Sequence, residues 1–350
     1  MAAQPTGGAV VIEVPIAEFQ AGYSSPAPIL YTQGPAHDNR EEMIRSVVDG
    51  LSKPQKTLPY IYFYDERGSA LFEAITELPE YYVTRTELAI LQDNARAIGD
   101  LASDTAEVVE FGSGSSKKTQ VILDEALNRQ TSPIYTPIDI SGDALRQALA
   151  MLAARVPRLR LRAIEARYEE GVAILPTARE TSRLYVFLGT SIGNMAQEEA
   201  VHFLLQLCQA CRPGDLFLIG FDLVKDEDVL FAAYNDSASV TADFNLNLLA
   251  HLNAALGTDF DLTGFKHLAV WDAAHSRIEM RLISLRSQTV HLPAVGRSFS
   301  FEEGEYIVTE WSHKYTPESI RSLAASSGFM VKASWSDPQD SFALTMWEHR

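Results

Sequence analysis

Two short runs in this sequence place glycine, hydroxyl and amide groups at the ends of apolar segments, where a ligand can meet them. The first, Glu110-Phe-Gly-Ser-Gly-Ser-Ser-Lys-Lys-Thr119, continues the apolar segment Glu107–Phe111. Its glycines, Gly112 and Gly114, let a ligand approach the backbone because no Cβ stands in the way. The run lacks the Gly-Lys-Ser/Thr ending of a Walker loop, and Lys117 occupies the place of the third glycine in a dinucleotide fingerprint. A tight turn with no ligand also fits this run. Asp139, closing the next apolar segment, adds a carboxylate suited to the two hydroxyls of a ribose. A short Gly-x-Gly with an acid at the second segment end fits S-adenosylmethionine better than NAD, whose pyrophosphate needs a cradle.

The second run, Phe187-Leu-Gly-Thr-Ser-Ile-Gly-Asn194, also follows an apolar segment. Asn194 either caps the helix expected to begin near Gln197 or faces a ligand. Tyr60, Tyr62, Tyr64, Tyr81 and Tyr82 are dense for so short a span; most are expected in the core or at a rim, with one or two in a site. Cys208 and Cys211 have the spacing of a redox or zinc dithiol. Yet Val201, Leu204, Leu205, Cys208 and Cys211 follow the helical period, which argues for packing. No second Cys/His pair stands near them to complete a zinc site. The eight histidines show no His-x-x-x-His spacing, and no Gly-x-Ser-x-Gly elbow occurs. No metal site is expected.

The surrounding pattern supplies elements to hold these groups. Strands are predicted at Glu107–Phe111, Ile134–Ile140, Leu159–Ile164, Leu184–Leu188 and Leu216–Phe221, with helices over Lys117–Arg129, Ala144–Arg155 and Glu198–Cys211. Strands alternating with helices make βαβ units and a parallel sheet, with its ligands outside the carboxyl edge. The alternation then breaks. Asp226–Leu256 reads as helix, and Lys266–Trp271, Arg277–Ile283 and Glu305–Ser312 as antiparallel strands. On a two-residue period Ile278, Met280 and Leu282 share a face, as do Tyr306, Val308, Glu310 and Ser312. A final helix, Pro317–Ser327, and strands at Met330–Ser334 and Phe342–Trp347 return to the first sheet. The expected fold is α/β: a Rossmann-like domain (86–223 and 315–350) with an inserted α+β lobe (35–85 and 224–314). Residues 1–34, rich in Ala, Gly, Pro and Ser, read as an arm with a short strand at Ala9–Val14.

Composition bounds the function. The chain has 350 residues, 46% hydrophobic and 21% charged, enough for a large core. Twenty-nine Lys and Arg against 46 Asp and Glu leave a formal charge of −17, which argues against a nucleic-acid partner. No apolar run approaches the ~20 residues of a membrane span. No secretory leader is evident, and two cysteines make no disulfide framework, so a cytoplasmic protein, expected as a monomer, is the reading.

Tyr62-Phe-Tyr-Asp65, Gly68-Ser-x-Leu-Phe72, Leu78-Pro-Glu-Tyr-Tyr-x-Thr-Arg-Thr-Glu87, Glu110-Phe-Gly-Ser-Gly114 and Gly189-Thr-Ser-Ile-Gly-Asn194 occur in that order. Asp222-Leu-Val-Lys-Asp226, Ala233-Tyr-Asn-Asp236, Phe244-Asn-x-Asn247, Arg277-Ile-Glu-Met280 and Thr309-Glu-Trp-Ser312 follow. From about Arg40 to the C-terminus the chain resembles the ergothioneine-pathway histidine Nα-methyltransferases. The resemblance implies trimethylation of the L-histidine α-amine to hercynine, with S-adenosylmethionine as donor. It implies that Gly112, Gly114, Lys118 and Asp139 bind that donor and that Tyr168 stacks on its adenine. Tyr81, Asn194 and Tyr234 would hold the carboxylate and amine end of histidine, and Tyr64 would line the transfer region. Glu310 and Ser312 would grip the imidazole, with Met280 beside it. Two departures stand out: Arg167 replaces an acid expected before Tyr168, and Trp311 replaces a smaller residue and should face away from Glu310 and Ser312. A related enzyme for another aromatic amino acid, such as tryptophan, would favour smaller apolar residues at positions 280 and 310.

Overall fold

The computed structural model describes residues 9–13, 29–33, 39–113, 118–177, 179 and 181–349. Its strands, in chain order, are β1 Ala9–Glu13, β2 Ile29–Gln33, β3 Lys56–Thr57, β4 Thr105–Phe111, β5 Ile134–Asp139, β6 Arg160–Glu165, β7 Ser182–Phe187 and β8 Leu216–Asp222. After the break come β9 Phe265–Asp272, β10 Arg277–Ser284, β11 Gln288–Leu292, β12 Arg297–Phe301, β13 Tyr306–His313, β14 Phe329–Ser336 and β15 Phe342–His349. Nine of them form one sheet in the order β1-β2-β6-β5-β4-β7-β8-β15-β14. Strands β6, β5, β4, β7 and β8 run parallel, β15 runs antiparallel to β8, and β14 runs antiparallel to β15. This is the doubly wound Rossmann-type order. The chain reverses direction across the sheet between β4 and β7, and the crevice at that switch point is the natural ligand site.

Strand β4 is buried along nearly its whole length, and β8 along all of it, as sheet strands covered on both faces must be. One apolar cluster, with Val108, Leu184 and Leu218, lies on one face; a second, with Phe111, Tyr185, Phe187 and Trp347, fills the other. Cys208 belongs to the second cluster, and a Cβ on Gly328 would stand 2.7 Å from its Sγ. Burial pushes both thiols' pKa values up, so these cysteines pack rather than react.

A four-stranded sheet, β3-β13-β10-β9, stands apart from the large one. Helix Val240–Leu256 packs on it and on helix Glu66–Thr76. Most of this lobe lies between β8 and β15 in the chain. Among the described residues no helix is long and apolar enough to cross a membrane.

Three expectations are corrected. The stretch Asp226–Leu256 is two helices, Glu227–Tyr234 and Val240–Leu256, because the Asp236 carboxylate accepts from Val240 N at 2.9 Å and Thr241 N at 2.8 Å, starting a new helix. Part of the supposed arm is β2, which pairs parallel with β6 and antiparallel with β1. Lastly, Tyr306 and Val308 do not share a face with Glu310 and Ser312. Opposite residues pair Ile278 with Ser312 and Met280 with Glu310, but Arg281 with Val308, so Thr309 is an extra residue in β13. A bulge of this kind reverses the side-chain alternation beyond it. Ile307, not Val308, continues the face of Glu310, and Tyr306 lies on the other side beneath the Arg281 guanidinium, 4.3 Å from its ring centroid.

Candidate active site

A cavity of about 280 Å³ opens between the carboxyl edge of the large sheet and the second lobe. Gly112, Lys118, Tyr64, Tyr81, Asn194, Tyr234, Met280 and Glu310 all line it. Residues far apart in the chain thus meet around one space.

At the sheet edge, Gly112 ends β4 with φ +68°, a conformation that favours glycine. A Cβ there would stand 2.8 Å from the Tyr168 hydroxyl, so the close approach also requires glycine. Gly112 N donates to Ile138 O at 2.9 Å, which sets the turn beside Asp139 at the end of β5. The Asp139 carboxylate accepts from Ser141 N at 3.0 Å. The Tyr168 ring packs edge-on to Phe187, with centroids 5.1 Å apart. Neither Asp139 nor Tyr168 lines the cavity itself; both border it at the Gly112 side. Gly114 lies outside the described residues. Arg167 turns to Glu42 on helix Asn39–Leu51, Nη2 to Oε1 2.7 Å, and so leaves the edge to Tyr168. A glycine turn, a ribose-suited acid at the neighbouring strand end and an aromatic ring together suit a nucleoside such as that of S-adenosylmethionine.

Lys118 is held by Glu87, Nζ to Oε2 2.5 Å. The buried Glu87 carboxylate also accepts from Gly189 N, at 2.8 and 2.9 Å. One carboxylate on helix Val83–Leu101 therefore ties the loop after β7 to the start of helix Thr119–Arg129. Gly220 on β8 leaves the room for it, since a Cβ there would collide with Glu87 Oε1. Glu110, 2% exposed, accepts from the Thr119 and Tyr135 hydroxyls. Burial pushes its carboxyl up to about 7 in spite of those bonds.

Opposite this edge stands β13. Glu310 faces the cavity next to Met280, and burial, opposed by Lys314, pushes its carboxyl up to about 7. The Asn194 amide nitrogen lies 3.5 Å from Glu310 Oε2, while Asn194 Oδ1 is buried with no partner among the described residues. Asn194 ends the turn Ser191–Asn194 and does not cap the next helix, whose cap position is Ala196. That leaves its carboxamide for a ligand. Trp311 points to the other face, under the Arg277 guanidinium at 4.7 Å, as the alternation requires. Tyr64 and Tyr81 reach the cavity through an aromatic group with Phe72, Phe244 and Tyr234. Tyr62 and Tyr82 do not line it: Tyr62 bonds Ser46 at 2.6 Å, and Tyr82 donates to Asp222 at 2.7 Å.

Ser312 sits one hydroxyl behind the cavity wall, 2.7 Å from Tyr234 Oη. Both hydroxyls accept from Lys314, whose side chain is fully buried and whose ammonium lies 2.8 Å from Asp222 Oδ2. Lys225 bonds the same Asp222 from the other side. Burial pushes the Asp222 carboxyl up, but the two ammonium groups outweigh it and hold it below the usual range. Lys225 is pushed down to about 8 by burial. Sequence reasoning assigned no part to Lys314, Asp222, Lys225 or Glu87. Asp222, Lys225 and Glu87 lie within quoted motifs, and Asp222 also opens the acidic run to Asp228, which reads more readily as a solvated loop than as a metal site.

A family model described as histidine-specific methyltransferase, SAM-dependent, matches residues 43–349. The histidine N-alpha-methyltransferase of Mycolicibacterium smegmatis is 40% identical over 307 residues, 87% of this chain and 94% of that one. The enzyme of the same name from Mycobacterium tuberculosis is 38% identical over 86% of this chain and 93% of its own. Ergothioneine biosynthesis protein 1 of Neurospora crassa is 28% identical over 83% of this chain and 33% of its own length. The chain belongs to the histidine-specific, S-adenosylmethionine-dependent methyltransferases.

Proposed function

We infer that this protein trimethylates the α-amine of L-histidine to hercynine, the first step of ergothioneine biosynthesis, with S-adenosylmethionine as donor. The observation that carries the reading is a single cavity lined both by the Gly112 turn and by Glu310. We assign the donor to Gly112, Gly114, Lys118, Asp139 and Tyr168. The lobe formed by 35–85 and 224–314 takes the acceptor. Tyr81, Asn194 and Tyr234 hold the amino-acid end, and Glu310, Ser312 and Met280 hold the ring. The two free thiols suit a reducing compartment, and we place the enzyme in the cytoplasm as a monomer.

The donor supplies a methyl carbon already made electrophilic by its sulfonium. The protein therefore mainly positions the amine, with its lone pair in line at near-attack distance. The amine must first lose a proton. Tyr64 is no standing base, because burial, with Glu310 nearby, holds its phenol well above the ordinary value and so neutral. It orients the amine as a hydroxyl while desolvation lowers the amine's own pKa. Tyr64→Phe should then lower kcat roughly 10-fold, the scale of one lost hydrogen bond, without moving the pH limb of the rate profile. A moved limb would make the phenol a proton carrier, and an unchanged rate would remove Tyr64 from the reaction. The function itself is tested by incubating the enzyme with S-adenosylmethionine and a mixture of the common amino acids. Mass spectrometry should find a histidine carrying three added methyl groups; methylation of another amino acid alone would overturn the reading.

A further inference from the structure

Glu87 has no part in the steps just derived, yet it bonds a cation of the cavity wall. Among the described residues that line the cavity, only Lys118 and Arg85 carry a positive charge. Arg85 is exposed, and its guanidinium bonds the carbonyls of Leu78, Pro79 and Tyr81. Lys118 is sheltered, its side chain 23% exposed, and its ammonium meets Glu87 Oε2 at 2.5 Å. A Cβ on Gly189 would stand 3.5 Å from Lys118 Nζ, so the ammonium lies against the loop after β7, whose Gly189, Thr190 and Ser191 line the same cavity. Glu110, the other buried acid at this edge, bonds the hydroxyls of Thr119 and Tyr135 instead. Glu73 and Glu77 also line the cavity, but they are open to solvent, which screens them.

Glu87 itself is fully buried, and both its oxygens accept, from Lys118 and from Gly189 N. A tie between loop and helix does not need its charge, since a glutamine carbonyl would accept in the same place. The charge matters for Lys118. S-adenosylmethionine and S-adenosylhomocysteine share a nucleoside, an ammonium and a carboxylate; they differ by one methyl group and one positive charge at sulfur. An unbalanced Lys118 would attract the carboxylate of both and repel the sulfonium of one, which favours the demethylated form. At the effective dielectric constant of a protein cavity that repulsion is roughly four times as strong as in bulk water. With Glu87 bonded to it, Lys118 is half of a neutral pair.

We propose that Glu87 is the positioning residue for donor-over-product selectivity: by balancing Lys118 it makes the cavity hold S-adenosylmethionine in preference to S-adenosylhomocysteine. This rests on the reading of the Gly112 edge as the donor site. It also bears on trimethylation, in which every histidine requires three exchanges of product for fresh donor. A cavity that retained the product would stall at each of them.

The test measures dissociation constants for both ligands by calorimetry at low salt, without histidine, on the full-length parent, Glu87→Gln and Lys118→Met. Glu87→Gln leaves Lys118 unbalanced and should shift the ratio of the two constants roughly 10-fold toward S-adenosylhomocysteine. Lys118→Met leaves the carboxylate unbalanced and should shift it roughly 10-fold the other way. The double variant, neutral again, should return to within about 3-fold of the parent ratio. An equal loss of affinity for both ligands marks a structural role and overturns the proposal, as does an unchanged ratio. Should Glu87→Gln not fold, Lys118→Met decides in its place by the sign of its shift. A parent that binds neither ligand overturns the donor reading together with the proposal, whereas an unmoved ratio in a protein that binds both overturns the proposal alone.

Discussion

Glu310→Ala is expected to lower kcat/KM for L-histidine roughly 100- to 1000-fold, the range for removing a charged partner from a buried polar contact. Turnover of L-tryptophan should be maintained or rise. The asymmetry follows from what each ring asks of the cavity. Imidazole brings an N–H that must find an acceptor once water is excluded, and β13 offers Glu310 beside Met280. Alanine at 310 leaves the N–H unpaired and enlarges the pocket, so a larger aromatic ring loses nothing and gains room. The fold should not suffer, because the carboxylate removed is one whose charged form burial already disfavours. Relative rates from a mixture of histidine and tryptophan check this directly. If their ratio stays as in the parent while the protein remains folded, Glu310 does not read the ring.

The parts of the site legible in the sequence are those fixed by local pattern. Apolar segments ending in Gly112, Asp139 and Gly189 mark strand ends, and the βαβ rule places those ends along one edge. The bulge at Thr309 was not legible, because it belongs to a pair of strands: a two-residue period carried from Glu310 to Tyr306 assumes a regular partner. Strand β2 was missed for a similar reason. Its five residues stand in a Gly- and Pro-rich stretch, and what makes them a strand is β6, distant in the chain. The buried charges are the clearest case. Nothing local marks Lys314, Asp222 and Glu87 as buried, since charged residues are seldom buried without partners. Their partners come from other elements: Tyr234 for Lys314, Tyr82 for Asp222, Gly189 for Glu87. Only the assembled lobe shows that these charges lie inside.

Two other buried acids, Glu110 and Glu310, take stability from the ligand-free enzyme as pH rises from mildly acidic to alkaline. Glu110 and Glu310 have carboxyls raised from 4.5 to about 7. Between those values the folded chain holds protons that the unfolded chain has released, so stability is full below 4.5 and falls as pH rises to about 7. A tenfold difference in proton affinity between folded and unfolded chain is worth about 1.4 kcal/mol, which sets an upper scale of about 3 kcal/mol per group. Glu310 contributes less than Glu110, because both line the cavity but Glu310 is partly exposed where Glu110 is 2% exposed. Thermal melting at pH 5.5 and 8 measures their sum against an opposite contribution from His267 and His313, whose imidazoles burial holds below the usual range, so that they gain stability as pH rises through it. Glu310→Gln should melt higher than the parent at pH 8 and equally at pH 5.5, since an amide carries no charge to bury. L-Histidine at pH 8 should stabilise the parent more than the variant, because it brings a close N–H to a carboxylate that the Asn194 amide meets only at 3.5 Å. Parallel pH curves for parent and variant would mean that Glu310 stays comfortably ionised in the empty cavity. The selectivity for a heteroaromatic ring then could not be traced to an acceptor held poorly paired, at a cost in stability, until its substrate arrives.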